Sequence, residues 1–166
     1  MTVASLPIST GGFFSSTTER GVSSDAQAIS KQFADILGAF YETYSIQEVH
    51  RDAHRSLFAA LRDASTANWD GYGAHPVRRE TAENALWFLF SLPASVPSPE
   101  ISADPDGEIA FEWHAGRGRA FSISIGNGDV VTFAGLRGRK RIRGTEVLVD
   151  GFPKTLLHHL GETLVA

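Results

Sequence analysis

Two histidines four residues apart have the plainest metal-ligand spacing in the sequence. His50 and His54 would lie one turn apart on a helix, so that both imidazoles could contact one metal ion. The zinc-protease signature needs a glutamate directly after the first histidine, and Arg51 stands there instead. The pattern favours two surface histidines on the polar side of an amphipathic helix, and we predict no metal site and no cofactor. A third ligand would have to be Asp52, His75, His114, His158 or His159.

A glutamate, a histidine and two serines could supply a catalytic triad. Glu112 and His114 alternate with apolar residues in one predicted strand, and Ser122 and Ser124 do so in the next. An activated serine needs a sharp turn such as Gly-x-Ser-x-Gly, and this sequence does not contain one. The polar face of an antiparallel sheet shows the same alternation, so we predict no catalytic residue. A metal-dependent or hydrolytic enzyme that uses Asp70, Glu112 and the histidines is kept as an alternative.

A turn-rich loop over residues 68–76 contains one more candidate carboxylate. Two glycines, an Asn, an Asp and a Pro among these nine residues indicate an ordered loop. Asp70 could act as a general base, but an Asp before Gly also closes a turn onto its own backbone. The adjacent Trp69 favours a loop that is anchored by burial. We therefore interpret Asp70 as structural.

A dense basic run follows the strand-rich part of the chain. Five of the seven residues from 137 to 143 are Lys or Arg, and Gly138 and Gly144 suggest a mobile loop. Such a run can bind phosphates in a salt-dependent way, but the net charge of −4 shows that acidic groups offset it. The run could bind nucleic acid, bind an acidic protein surface, or be an ordinary solvent-exposed surface, and all three interpretations remain. The candidate binding residues are Arg137, Arg139, Lys140, Arg141 and Arg143.

The N-terminal residues 1–23 are rich in Ser, Thr and Gly and contain two adjacent phenylalanines, Phe13 and Phe14. This composition predicts a flexible arm. Aromatic rings in such an arm either dock on a partner or pack on their own domain. Phe13 and Phe14 therefore join the candidate partner-binding residues.

Three short strands must position most of these groups. Large apolar residues alternate with small or polar ones through residues 105–135, which is the period of half-buried antiparallel strands. Glycine-rich turns at 116–118 and 126–129 separate the strands. One face is predicted to lie on the core, and the other to be partly exposed to water. The core positions are Ile109, Phe111, Trp113, Phe121, Ile123, Ile125, Val131 and Phe133.

The fold class that these patterns predict is α+β. An antiparallel meander of three to four strands over 108–149, with 145–149 as the optional fourth, packs against N-terminal, central and C-terminal helices. We treat 24–166 as one domain, and whether its first helical part packs on this sheet or on another chain stays open. The helices are predicted at 24–64, 78–92 and 152–164. The helix residues expected in the shared core are Leu86, Leu89, Phe90, Leu156 and Leu160.

The composition is that of an ordinary globular domain. The chain has 166 residues, of which 42% are hydrophobic and 20% charged. The lack of cysteine excludes disulfides and thiolate metal sites. No run approaches the ~20 apolar residues of a membrane span, and the N-terminus lacks the pattern of a signal peptide. We therefore expect a cytoplasmic protein that does not bind membranes.

Two motifs stand together in a recognisable order. They are N-W-D-G-Y-G-A at 68–74 and P-D-G-E-I-A-F-E-W at 105–113. In these motifs and their separation the chain resembles a widespread group of small, uncharacterised bacterial proteins, over residues 68–148. The resemblance implies a bacterial or phage origin and a compact α+β domain, and it supplies no activity.

The function predicted from the sequence is non-enzymatic binding of a macromolecule by a bacterial or phage protein. Its distinctive features are an aromatic arm and a basic run, and both suit recognition better than catalysis. A protein partner is preferred, in an accessory, antitoxin-like, inhibitory or regulatory role. Nucleic-acid binding through residues 137–143 is the alternative.

Overall fold

The computed structural model describes residues 50–148 and 151–164, and within them the chain forms three helices and a five-stranded antiparallel sheet. The α+β class is confirmed, and the strand count is five where three to four were predicted. The predicted arm with Phe13 and Phe14, and residues 24–49 of the first predicted helical part, lie outside the described residues. The elements are α1 (Arg51–Asp63), α2 (Arg79–Ser91), β1 (Glu100–Ala103), β2 (Ile109–His114), β3 (Arg119–Ile125), β4 (Val130–Arg137), β5 (Lys140–Val147) and α3 (Lys154–Leu164).

The basic run forms a β-hairpin, so its prediction as a mobile loop is wrong. β4 and β5 pair antiparallel along their whole length, and the fourth predicted strand starts five residues earlier than the optional 145–149. Gly138 makes the turn with a φ of 61°, a conformation that glycine adopts without strain. Gly144, which suggested mobility, lies inside β5. A Cβ there would stand 2.8 Å from Cζ of Phe133, so the glycine makes room for a core side chain.

The remaining strand, β1, is a four-residue strand at the edge of the sheet. It pairs antiparallel with β2, with Ile101 opposite Phe111. Four residues are too few to display a convincing period, and the prolines before them indicated only an extended chain. α1 packs along β1, so this edge is supported by a helix.

The three helices contribute to one core on one face of the sheet, where the predicted alternation places the large apolar side chains. Phe111 and Phe121 are fully buried, and Phe88 of α2 meets Phe111 edge-on with ring centroids 4.9 Å apart. Nε1 of the buried Trp113 donates to the carbonyl oxygen of Pro97 at 2.7 Å. In the described ranges, no helix combines the length and the apolar character that crossing a membrane requires. The same core contains Leu86, Leu89, Leu156 and Leu160, with Phe90 partly buried against it.

The opposite face of the sheet, which we call the open face, is covered by no helix of the described residues. Its side chains are those that alternate with the core positions, such as Ser122 and Ala134, which are paired on β3 and β4. Ala134, Arg143 and Thr145 on this face are exposed. Because no described helix covers this face, the five-stranded sheet offers a broad surface for a candidate site.

Candidate functional site

The open face contains a groove of about 670 Å³. The groove follows two cross-strand rows that the sheet register sets. Residues of a row share a face because successive side chains of a strand alternate between the two faces. From β2 to β5, the first row consists of Glu112, Ser122, Ala134 and Arg143. The second row consists of His114, Ala120, Leu136 and Arg141.

The chemistry of the groove changes from one side to the other. Ala120 and Ala134 form a small, apolar floor. Arg141 and Arg143 on β5 present guanidinium groups on one side. On the other side Nε2 of His114 lies 3.6 Å from Oε2 of Glu112, and both side chains are about half exposed. Such an exposed pair contributes little to stability, so its members remain able to bind other groups.

Two tight turns meet at one end of the sheet and gather its cations there. The N–H of Gly138 in the β4–β5 turn donates to the carbonyl oxygen of Gly118 in the β2–β3 turn at 2.7 Å. Arg119 stands opposite Arg137 in the register of β3 and β4. Arg117 and Arg119 were not among the candidates predicted from the sequence. The Gly-Arg-Gly-Arg sequence of residues 116–119 could have indicated them. What we call the basic end comprises Arg117, Arg119, Arg137, Arg139, Lys140, Arg141 and Arg143.

Four of the five basic residues predicted from the sequence are divided between the two faces of the hairpin, and Arg139 lies in its turn. Arg141 and Arg143 project from the open face and border the groove. Lys140 lies on the helix side, where its Nζ is 4.0 Å from Oε2 of Glu162 on α3. Arg137 pairs with Lys140 in the register and lines a small pocket with Glu162. Two of the five predicted basic residues, Arg141 and Arg143, therefore line the groove.

The opposite end of the sheet is acidic. The β1–β2 turn carries Asp104, Asp106 and Glu108, and the β3–β4 turn carries Asp129. Burial raises the pKa of Asp104, and repulsion from its carboxylate neighbours raises it further. Ser124, one of the candidate triad serines, donates its hydroxyl to Oε2 of Glu108. The seven residues of β3 span roughly 20 Å, so the sheet has opposite charges at two well-separated ends.

The loop at 68–76 is closed by its own side chains. Oδ1 of Asp70 accepts the backbone N–H of Tyr72 at 2.8 Å and that of Ala74 at 3.1 Å. The bond from Tyr72, followed by further backbone bonds, holds the pKa of Asp70 below its usual value. Nε1 of Trp69 donates to the carbonyl oxygen of His75 at 3.1 Å. This geometry gives Asp70 the structural role that the Asp-Gly turn predicts.

The candidate catalytic residues are placed on different parts of the molecule. The loop of Asp70 is attached to the acidic end, since the N–H of His75 donates to the carbonyl oxygen of Pro105 at 2.7 Å. Glu112 lies on the open face, in the groove. His54 lies on α1, which packs on the core side. Within the described residues, Glu112 shares the groove with His114 and Ser122, whereas Asp70 and His54 lie in other parts of the fold.

His50 and His54 are buried, so the prediction of two surface histidines is wrong. The exposed fraction is 1% for His50 and 4% for His54. Nδ1 of His54 donates to the carbonyl oxygen of His50 at 2.8 Å, and its ring lies 4.9 Å from that of Phe90. Burial lowers the pKa of His54. The two histidines extend the buried stripe of Leu57 and Leu61 at helical spacing, a signal that was present in the sequence.

Comparison with protein-family models, with curated proteins and with solved structures finds no match for this chain. The interpretation of the groove therefore depends on its shape and its charges. A groove with a small apolar floor and guanidinium groups along one side suits recognition of acidic side chains, because guanidinium binds carboxylate through paired hydrogen bonds.

Proposed function

We propose that this protein is a non-enzymatic binding module that holds another protein on its open face. The observation that carries the proposal is the groove, which joins a small apolar floor to a basic side. A partner segment seated on Ala120 and Ala134 would place an acidic side chain within reach of Arg141 or Arg143. An accessory, antitoxin-like, inhibitory or regulatory role in bacterial or phage-infected cytoplasm accords with such a module.

Small side chains in the floor allow a partner's backbone to approach the sheet closely. Ala120 and Ser122 on β3 face Leu136 and Ala134 on β4, and only Leu136 is large. Leu136 is half-buried in the free protein, so a docked segment would remove more of its apolar surface from water. Each Å² of apolar surface removed contributes about 25 cal/mol. Apolar burial on the floor would supply affinity, and the arginines would select acidic partners.

The distribution of charge favours a protein over a nucleic acid as the occupant. A polyanion that ran along the strands would be attracted at Arg139, in the turn of the basic end, and repelled at Asp106 and Asp129, at least roughly 20 Å away. A protein segment with its acidic residues on one side meets no such conflict. Moreover, no Phe, Tyr or Trp side chain of the five described strands projects from the open face, so aromatic stacking with bases is missing.

Reversing the charges beside the groove tests the proposal. We expect the wild-type protein to retain a stoichiometric protein from nuclease-treated bacterial lysate, and Arg141→Glu/Arg143→Glu to lose it, because attraction becomes repulsion. The matched control is Arg55→Glu/Arg62→Glu on α1, whose side chains are 74% exposed. Equal retention by the wild type and both variants, or retention by none of them, would contradict the proposal. Circular dichroism checks that each variant is folded.

The meeting of the two glycine turns favours nucleic-acid binding as a second candidate function. The hydrogen bond between Gly118 and Gly138 assembles the seven cations of the basic end. If all of them neutralised phosphates, the affinity for duplex DNA would fall with salt at a log–log slope of roughly −6. Gel-shift titrations at several salt concentrations measure this slope. A wild type that binds no better than the variant neutralised at Arg137, Arg139, Lys140, Arg141 and Arg143 would remove this candidate.

A further inference from the structure

Helix α3 places three potential metal ligands around one point, on the side of the sheet away from the groove. Nε2 of His158 lies 3.8 Å from Oε2 of Glu162, and Nδ1 of His159 lies 4.0 Å from the same oxygen. The three ligand atoms all lie within 4.8 Å of one another. Residues three and four apart on a helix are neighbours, so the helix itself sets this arrangement.

The ring of His159 is held by packing in a way that leaves one nitrogen unsatisfied. It stacks on Phe133 of β4 with ring centroids 5.3 Å apart and an interplanar angle of 26°. Its Nδ1 is buried and has no hydrogen-bond partner. A buried nitrogen without a partner is unfavourable and calls for an explanation. Since Oε2 of Glu162 lies 4.0 Å from this nitrogen, a cation between the two would satisfy both.

We propose that His158, His159 and Glu162 bind a divalent transition-metal ion of the zinc, nickel or copper class. Two imidazole nitrogens with one carboxylate suit these ions, whereas magnesium and calcium prefer ligand sets made only of oxygen. Ligand atoms around a tetrahedral zinc ion lie roughly 3.3 Å apart, given zinc–ligand bonds of about 2.0–2.1 Å. The side chains of His158 and Glu162 are 68% and 44% exposed, so small rotations can close the present gaps. A water molecule completes the four ligands.

Lys140 supplies a further test of the site, because its ammonium group already shares the carboxylate. Nζ of Lys140 lies 4.0 Å from Oε2 of Glu162, the oxygen assigned to the metal. A metal ion at that oxygen repels the ammonium group, which must move away on its flexible stem. Replacing Lys140 with Met removes this competing charge. The affinity for zinc is therefore expected to rise in Lys140→Met and to fall in the ligand variants.

Isothermal titration calorimetry of the full chain with zinc tests the proposal. We expect one zinc ion per chain and no binding of magnesium. Loss of a direct ligand in His158→Ala or Glu162→Gln should weaken zinc binding by at least about tenfold, the smallest loss typical for an outer-shell partner. Both replaced side chains are exposed, so these variants are expected to fold. Zinc should also raise the melting temperature of the wild type more than that of His158→Ala.

Histidines away from the cluster provide the controls. His75 and His114 are both exposed, and His75→Ala and His114→Ala should bind zinc as the wild type does. Absence of zinc binding by the wild type would overturn the proposal, as would an unchanged affinity in His158→Ala and Glu162→Gln. An unchanged or lower affinity in Lys140→Met would overturn the assignment of Glu162 as a ligand. The site is independent of the groove, so these results leave the proposed protein binding on the open face untouched.

Discussion

At the scale of single residues, burial sets the chemistry of the histidines on α1. Nδ1 of His54 must carry the proton, since it donates to the carbonyl oxygen of His50. Nε2 of His54 is then a bare nitrogen, buried and without a hydrogen-bond partner. Protonation of Nε2 would place a charge beside the ring of Phe90. The neutral form is therefore favoured, and burial lowers the pKa of His54 from its usual 6.5.

The lowered pKa predicts a loss of stability in mild acid. The unfolded chain binds the proton of His54 more tightly than the folded chain does. The stability that the neutral form of His54 contributes is therefore fully present above about pH 6.5. The free energy of unfolding falls as the pH drops from there toward the folded-state pKa. His54→Leu should flatten this part of the pH dependence, and the exposed control His75→Leu should keep it. Denaturant titrations across this range measure both; a pH dependence in His54→Leu as steep as in the wild type would contradict the prediction.

Phe121 tests the assignment of the sheet faces with one side chain. It is 1% exposed, and its ring stacks near that of Phe133 with centroids 5.9 Å apart. Phe121→Ala should lower the free energy of unfolding by about 3–5 kcal/mol, because it removes a fully buried ring and leaves a cavity. Ser122→Ala, on the open face of the same strand, is the matched control and should change it by less than about 0.5 kcal/mol. A loss of unfolding free energy below about 1 kcal/mol for Phe121→Ala in urea titration would mean that the faces are reversed.

At the scale of elements, two glycines show how β5 and α3 are built. In Gly144→Ala the new Cβ would lie 2.8 Å from Cζ of Phe133, so we expect a loss of about 1–3 kcal/mol from overpacking. Gly161 lies in α3, where an added Cβ would meet nothing within 4 Å beyond its chain neighbours and the backbone of its own helix. Gly161→Ala should therefore stabilise the helix by roughly 0.5–1 kcal/mol. Thermal unfolding compares the two variants, and changes of the same sign would contradict the prediction.

Strands β2, β3 and β4 could be predicted because large apolar residues alternate with smaller or polar ones, over six positions in β2 and β3 and over positions 131–134 in β4. Only the last part of β5, within the optional strand 145–149, could be predicted. Its core-facing positions include Gly144, which leaves space for Phe133 where an apolar side chain would have marked the strand. Its other face carries arginines, so the segment resembled a basic loop. The strand is therefore defined by its pairing with β4, which the composition of the segment does not indicate. β1 is too short to display any period.

At the scale of the whole molecule, the candidate site depends on contacts between distant parts of the chain. Arg141 and Arg143 could be selected from their density in the sequence. Arg117 and Arg119 could not be joined to them, since the two turns meet through the pairing of β3 with β4 and the hydrogen bond between Gly138 and Gly118. The groove likewise depends on the register of four strands. A basic end, an acidic end and a face that no helix of residues 50–148 and 151–164 covers together distinguish this sheet from a plain structural layer.

The central claim is that the open face binds a protein, and filling the groove tests it most directly. Ala134 is an exposed residue in the floor, and Ala134→Trp should block the groove without touching the core. Ala67, an exposed residue of the turn after α1, provides the matched control Ala67→Trp. We expect Ala134→Trp to weaken binding of the captured partner by at least about tenfold in calorimetry, a change of about 1.4 kcal/mol, and Ala67→Trp to bind as the wild type does. Wild-type affinity in Ala134→Trp would contradict the claim.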